Sequence, residues 1–207
     1  MDKSVIVVGA GGHAKVVIST LREAGYTVPA AYDDDEAKWG KDVLGVPILG
    51  PIRCLETATN NLRAVIAVGE NLLRKTISKR LFLNWVSVIH PKAYVHESAN
   101  LGAGTVVFAG AVIQPEADIG EHVIVNTGAT IDHDCRIGSY AHLGPGAHLS
   151  GGVEIGEGVL LGISSAVLPG MRVGQWSVVG GGGVVIRNVP SNVKVAGVPA
   201  EETKSTL

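Results

Sequence analysis

From Ile89 onward an aliphatic residue recurs every six positions for sixteen steps, without a single insertion. The series runs Ile89, Val95, Leu101, Val107, Ile113, Ile119, Val125, Ile131, Ile137, Leu143, Leu149, Ile155, Leu161, Val167, Val173, Val179 and Val185. Four residues after most of these comes a small or slender side chain, among them Ala93, Ala99, Thr105, Ala111, Ala117, Val123, Ala129, Cys135, Ala141 and Ala147. A period of six matches neither the 3.6 of an amphipathic helix nor the alternation of a hairpin meander. It suits very short flat strands joined by tight corners, with the aliphatic residue pointing inward. Three such strands close a triangular coil of 18 residues, and coils stack at roughly 4.8 Å. Glycine often follows the aliphatic residue directly, as at Gly102, Gly120, Gly138, Gly156 and Gly174, and is expected to relieve the turn. A ladder of this kind explains how a chain with 28 glycines and only 4% aromatic residues can be ordered.

The segment before the repeat follows another rule. Residues 4–8 read as a buried strand, Gly9-Ala10-Gly11-Gly12-His13 as a tight loop, and residues 14–24 as a helix. A second strand spans about 28–32 and ends at Asp33-Asp34-Asp35; 63–68 is another strand, followed by Gly69 and a helix over 71–84. Strands alternating with helices imply a small Rossmann-like parallel sheet. The division expected is therefore an α/β domain over 1–85, an all-β parallel helix over 86–190, and a cap or tail over 191–207. Gly9, Gly11 and Ala14 satisfy the spacing of a dinucleotide fingerprint, with Asp33 about 20 residues on. Glycines there let backbone N–H groups approach a phosphate at a helix N-terminus. One small half-fold lacks the second mononucleotide-binding half that NAD uses, so a nucleotide diphosphate sugar fits better than NAD, with a purely structural turn as the plain alternative.

The rest of the composition excludes partners rather than naming them. A formal net charge of −2 gives no reason to expect nucleic acid or an anionic membrane. The longest apolar runs are far too short to span a bilayer. The start passes straight into a strand-like segment without a signal-peptide pattern, and Cys54 and Cys135 show no CxxC spacing, so a reducing cytoplasm is expected.

The repeat resembles the hexapeptide-repeat acyltransferases from Ile89 to the tail near Ala200, and Val195-Ala196-Gly197-Val198-Pro199-Ala200 resembles their common ending. That resemblance implies a left-handed coil, a homotrimer, and acyl-CoA bound between neighbouring subunits. With the N-terminal domain included, nearly the whole chain resembles the sugar O- and N-acetyltransferases, which include the bacillosamine-pathway, perosamine and sialic acid enzymes. The resemblance implies that Gly11, Gly12, His13, Asp33, Asp34 and Gly69 hold a nucleotide-linked amino sugar. It likewise implies that His142, Ile163 and Gly181 touch acetyl-CoA. Gly181 lies one coil after Ile163, so the two should stack on one face.

Acetyl transfer from a thioester needs a base for the attacking amine or hydroxyl and donors for the oxyanion. Five histidines follow Pro91: His96, His122, His133, His142 and His148. His133 stands out because Asp132 and Asp134 flank it, and a carboxylate favours the protonated imidazole and raises its basicity. One coil further on lies Gly151, which should leave a notch for substrate above His133 and an N–H facing an oxyanion. In the resembling enzymes this pair is the base and its tuning acid, here His133 and Asp134; many relatives carry Glu where this chain has Asp134.

The function expected is N-acetylation of a 4-amino-4,6-dideoxyhexose, on UDP first and GDP second, in bacterial glycan biosynthesis, with a sialic acid hydroxyl as third acceptor. Two other classes share the coil. A γ-type carbonic anhydrase keeps a His pair five residues apart, whereas His142 and His148 are six apart and fall on different faces, so no metal is expected. A non-catalytic nucleotide-sugar-binding protein would bind without turning over acetyl-CoA.

Overall fold

In the computed structural model, which describes residues 3–58 and 61–203, the chain forms a small α/β unit docked on a β-solenoid of about seven turns. The α/β unit holds β1 (Ile6–Val8), α1 (Gly12–Glu23), β2 (Ala31–Tyr32), the hairpin β3 (Asp42–Val43) and β4 (Val46–Pro47), β5 (Arg63–Ile66), α2 (Asn71–Arg80) and β6 (Asn84–Trp85). Its four-stranded sheet is parallel with order β2-β1-β5-β6. Three details differ from the sequence reading. α1 begins two residues earlier, because Gly11 takes the N-cap position in extended conformation. α2 ends at Arg80 and the chain returns through β6, which pairs with β5 and so completes the sheet. The β3–β4 hairpin has too little alternation to be seen in the sequence.

The solenoid is a left-handed parallel β-helix of three sheets. Its first face stacks strands at Val88–Ile89, Val106–Val107, Ile124–Val125, His142–Leu143, Leu160–Leu161, Val178–Val179 and Lys194–Ala196. The second face stacks those from Tyr94–Val95 to Val184–Val185, and the third those from Asn100–Leu101 to Arg172–Val173. Partners lie one coil apart, as in Val107↔Val125 and Ile119↔Ile137. From Val107 onward the aliphatic ladder and its small companions form one continuous buried core; Val95 and Leu101 pack partly buried against its open end, and Ile89 is 41% exposed. Only the last coil departs from the period: Val195 pairs with Val179, and Val189 bridges to Val173.

Left-handed backbone recurs at every sixth residue, but three positions after the aliphatic residue rather than one. Gly110, Glu116, His122, Gly128, Asp134, Tyr140, Gly146 and Gly152 all have φ between +53 and +71°. The glycines directly after the aliphatic residues serve contact between coils instead. A Cβ on Gly138 would lie 2.5 Å from the Glu157 nitrogen, and one on Gly156 2.5 Å from that of Gln175.

The three faces present different surfaces. Val88, Val106, Phe108 and Ile124 on the first face join Val17, Ile18 and Leu21 of α1 in a single buried cluster, so the α/β unit sits on this face. The third face carries a ladder of charge, Asp118, Arg136, Glu154 and Arg172, with Arg172 paired to Glu154 at 2.6 Å. The second face carries Tyr94, Val112, Thr130, His148, Ala166 and Val184, and no described element of the chain packs over it.

Candidate active site

The β1–α1 loop passes close to the end of β5, where only glycine fits at position 9. Gly9 has φ +105° and an added Cβ would lie 2.8 Å from Val68 Cγ2. Gly11 and Gly12 are different: neither has positive φ, and a Cβ added to either would meet nothing within 4 Å. The fold therefore does not require glycine there, while a ligand approaching the N-terminus of α1 would. Asp33 and Asp34 follow β2, as expected. Asp33 Oδ2 accepts from the Ala10 N–H at 2.7 Å, and Oδ1 accepts from the Asp35 N–H at 2.9 Å, with Lys38 Nζ 3.2 Å from both oxygens. Burial pushes this carboxyl up, but those backbone N–H groups and the lysine outweigh it and hold its pKa below the usual value. Asp34 Oδ1 accepts from the Ile52 N–H at 2.8 Å. Asp33 thus braces the loop at the N-terminus of α1, whereas Asp34 ties the end of β2 to Ile52 and pairs with Arg80 at 3.8 Å. For the nucleotide-sugar ligand expected from the sequence, Asp33→Asn should raise the KM with a smaller loss of kcat, because loop contacts of this kind act on ground-state binding. Steady-state kinetics checks this; a collapse of kcat at constant KM would contradict it.

The α/β unit brings His13 and Gly69 against His142 on the first face. The His13 ring lies 5.5 Å from Phe108 and 6.1 Å from His142, centroid to centroid. The protonation of His142 follows from its neighbours. The Thr127 N–H donates to Asn126 Oδ1 at 2.8 Å, so Asn126 Nδ2 faces His142 and donates to Nε2 at 3.0 Å. His142 Nδ1 then carries the proton and donates to the Gly69 carbonyl at 3.3 Å. Asn126 escaped the sequence reading, although its place directly after Val125, on the same face as His142, could have pointed to it.

Burial, reinforced by the Arg74 charge, lowers the pKa values of His13, His122 and His142 to about 4. The charge acting on all three is that of Arg74 in α2; Lys79 of α2 adds to it at His122, and His13 at His142. An unfolded histidine binds a proton below about pH 6.5 while these stay neutral, so their stability is full above that pH and is lost as pH falls toward 4. Each can contribute up to about 1.4 kcal/mol per pH unit in that window. The melting temperature should fall steeply between pH 6.5 and 5 in thermal scans; a flat profile would contradict the burial argument.

His133 lies elsewhere, at the corner where the second face passes into the third. Its N–H donates to Asp132 Oδ1 at 2.8 Å, and its Nδ1 is 2.7 Å from Asp134 Oδ2. Asp134 occupies the left-handed corner position, φ +61°, which a short polar side chain tolerates. The hydrogen bond to Asp134, helped by the charge of Asp132, raises the His133 pKa above its ordinary value. With the proton on Nδ1, Nε2 keeps its lone pair. The imidazole itself occupies the space left by Gly151, where an added Cβ would lie 2.5 Å from Cε1 and 2.6 Å from Nε2. So the notch seats the ring rather than standing open beside it. The Gly151 N–H makes no hydrogen bond among the described residues. Prolines occupy the equivalent positions 115 and 169, one coil before His133 and one coil after Gly151.

Ile163 and Gly181 stack at the corner between the first and second faces, and a Cβ on Gly181 would lie 3.0 Å from Ile163 Cγ2. Ile163 is 61% exposed. Among the described residues no group of three or more His, Cys, Asp or Glu side chains could hold a metal ion, and no helix is long and apolar enough to cross a membrane.

Residues 4–81 match the family model "PglD N-terminal domain" and residues 116–151 match "Bacterial transferase hexapeptide (six repeats)". A mutant of perosamine N-acetyltransferase from Caulobacter crescentus, solved with CoA and GDP-perosamine, is 41% identical over 98% of this chain and 97% of that one, with TM-score 0.92. The chain belongs to the hexapeptide-repeat sugar acetyltransferase family. The acetyltransferase domain of PglB from Neisseria gonorrhoeae FA1090, solved with acetyl coenzyme A, is 36% identical over 98% of this chain and 100% of that one, with TM-score 0.91. UDP-N-acetylbacillosamine N-acetyltransferase of Bacillus subtilis (strain 168) is 42% identical over 113 residues, 52% of this chain and 52% of that protein. The chain thus spans about half, or less, of the length of the curated relatives it matches.

Proposed function

We propose that this acetyltransferase-family chain transfers the acetyl group of acetyl-CoA to the 4-amino group of a nucleotide-linked 4-amino-4,6-dideoxyhexose, with UDP preferred over GDP as the carrier. The observation that carries the reading is the His133–Asp134 pair at 2.7 Å, with the basic Nε2 seated over Gly151. His133 takes a proton from the amine as its nitrogen attacks the thioester carbonyl. The Gly151 N–H donates to the oxyanion, and collapse forms the amide, breaks the carbon–sulfur bond and returns the proton to the CoA sulfur. Gly11, Gly12, His13, Asp33, Asp34 and Gly69 form the sugar-nucleotide side, and His142, Ile163 and Gly181 the acetyl-CoA side. The relatives solved with CoA, acetyl-CoA and GDP-perosamine support both halves of the reading. Two free thiols, Cys54 and Cys135, suit action in a reducing cytoplasm.

The acceptor is tested by assaying CoA release with a panel of UDP- and GDP-linked 4-amino sugars and free sialic acid. Turnover of a UDP-linked amino sugar well above the GDP-linked ones is expected. Faster turnover of GDP-linked sugars would reverse the carrier, and acetylation of sialic acid alone would replace the amine with a hydroxyl.

The homotrimer is part of the same proposal. His133 and His142 lie on different parts of one solenoid, so a complete site needs His133 from a neighbour. The uncovered second face, flanked by exposed Ile163, Leu168 and Ile186, offers the apolar surface for that neighbour. Sedimentation should give about three times the 21.4 kDa chain mass, and a fully active monomer would contradict it.

A further inference from the structure

The proposed reaction uses side chains that face ligand, yet the most heavily engaged polar side chain among the described residues faces none. Arg74 of α2 is 1% exposed, and its hydrogen bonds go to backbone carbonyls and one amide oxygen rather than to a carboxylate. Nη1 donates to the Val68 and Gly69 carbonyls at 3.1 and 3.2 Å. Nη2 donates to Tyr140 O at 2.6 Å, to Ala141 O at 3.3 Å and to Asn71 Oδ1 at 2.9 Å, and Nε donates to His122 O at 2.8 Å. Asn71 continues the bridge, its Nδ2 donating to the Gly158 and Val159 carbonyls at 3.0 and 3.2 Å.

These acceptors come from two sides of the site. Val68 and Gly69 end the loop after β5, on the nucleotide-sugar side, and the Gly69 carbonyl also accepts a hydrogen bond from His142 Nδ1. Tyr140 and Ala141 lead directly into the strand that carries His142. We infer that Arg74 is a positioning residue: its one rigid guanidinium ties the Gly69 loop to the strand of His142 and so fixes how the sugar-nucleotide domain meets the acetyl-CoA side. The inference rests on the acetyltransferase reading for its consequence in turnover, but its geometry does not depend on the substrate.

Two properties of the guanidinium are separable. The fork shape satisfies carbonyls on both sides at once, which a lysine ammonium with three donors on a flexible stem cannot reproduce. The charge disfavours protonation of His13, His122 and His142. Burial lowers the Arg74 pKa to about 10, offset in part by Glu70 and Tyr140, so it stays charged near neutrality. The other charged or titratable groups nearby are Lys79 of α2, Tyr140 stacked on His122, Lys75 over the Tyr140 ring, and Glu70 at the N-cap of α2 acting on Arg74; these remain in both variants below.

The test compares Arg74→Lys with Arg74→Met in the full chain, at temperatures below each melting point. Arg74→Lys keeps the charge and loses the fork; kcat with the best aminosugar of the panel should fall about 10- to 100-fold, as misplacement by about 1 Å can do. The acidic limb of its pH–rate profile should stay where it is in the wild type. Arg74→Met loses both, so kcat should fall at least as far, while the acidic limb, which His133 sets, stays in place. Imidazole nitrogen NMR of the unliganded protein reads the same geometry without substrate: His142 should be the neutral Nδ1–H tautomer in the wild type, and should protonate at higher pH in Arg74→Met. If Arg74→Met does not fold, the Arg74→Lys kinetics and tautomer decide alone. Wild-type kcat in folded Arg74→Lys, with an unchanged His142 tautomer, would overturn the inference and leave Arg74 a structural bolt. A wild-type protein inactive on every sugar, with the NMR result as expected, would overturn the functional reading and not the positioning role.

Discussion

His133→Ala is expected to lower kcat by about 10²- to 10⁴-fold, the usual cost of removing a general base. The fold survives, because the side chain stands at a solenoid corner, 60% exposed, and takes no part in the aliphatic core. Binding of nucleotide sugar by calorimetry stays within a few-fold of wild type, since the residues proposed to hold it lie in the α/β unit. Asp134→Asn gives a smaller loss and a diagnostic pH effect. Asp134 raises the His133 pKa through their hydrogen bond, and a general base works only when deprotonated. Without the carboxylate the pKa drops, so the acidic limb of the pH–rate profile moves to lower pH. Near-normal turnover by folded His133→Ala would move attention to His142 or to a substrate-assisted route.

Gly151→Ala is expected to lower kcat about 10- to 100-fold while leaving the melting temperature nearly unchanged. A methyl group there would sit 2.5 Å from His133 Cε1, and that contact is to the end of an exposed side chain, so the ring swings aside at little cost. The fold is spared for the same reason. The proposed base, however, leaves its seat over Gly151, and a displacement of about 1 Å is enough for a loss of this size. The φ of Gly151 lies outside the left-handed region, so backbone strain does not explain the effect. Kinetics and a thermal melt on the same sample separate the two outcomes; a large drop in melting temperature with normal kcat would show that Gly151 serves packing between coils.

The solenoid was legible residue by residue because its cause is local and repeats. Each buried aliphatic residue of the ladder must return to the same side of a short strand, and that requirement writes the period into the chain. The stacking of Ile163 on Gly181 and of His133 over Gly151 followed from the same coil length. The flanking of His133 by Asp132 and Asp134 was legible too, since it needs only adjacency.

What the tertiary structure alone decided lies where the two units meet. Nothing in the local pattern of α2 marks Arg74 as buried, because its solenoid acceptors are carbonyls 48 to 67 residues away, with no complementary charge in the sequence to reveal them. The His142 tautomer depends on Asn126 and on the Gly69 carbonyl, which meet only when the α/β unit docks on the first face. The glycines after the aliphatic residues looked like turn residues and proved to be sites of close approach between coils, a distinction that exists only once coils stack. A periodic core is fixed by residues acting alone on their own strand, so sequence determines it; the docking of one unit on another is fixed by backbone groups and shape, and only the folded chain brings those together.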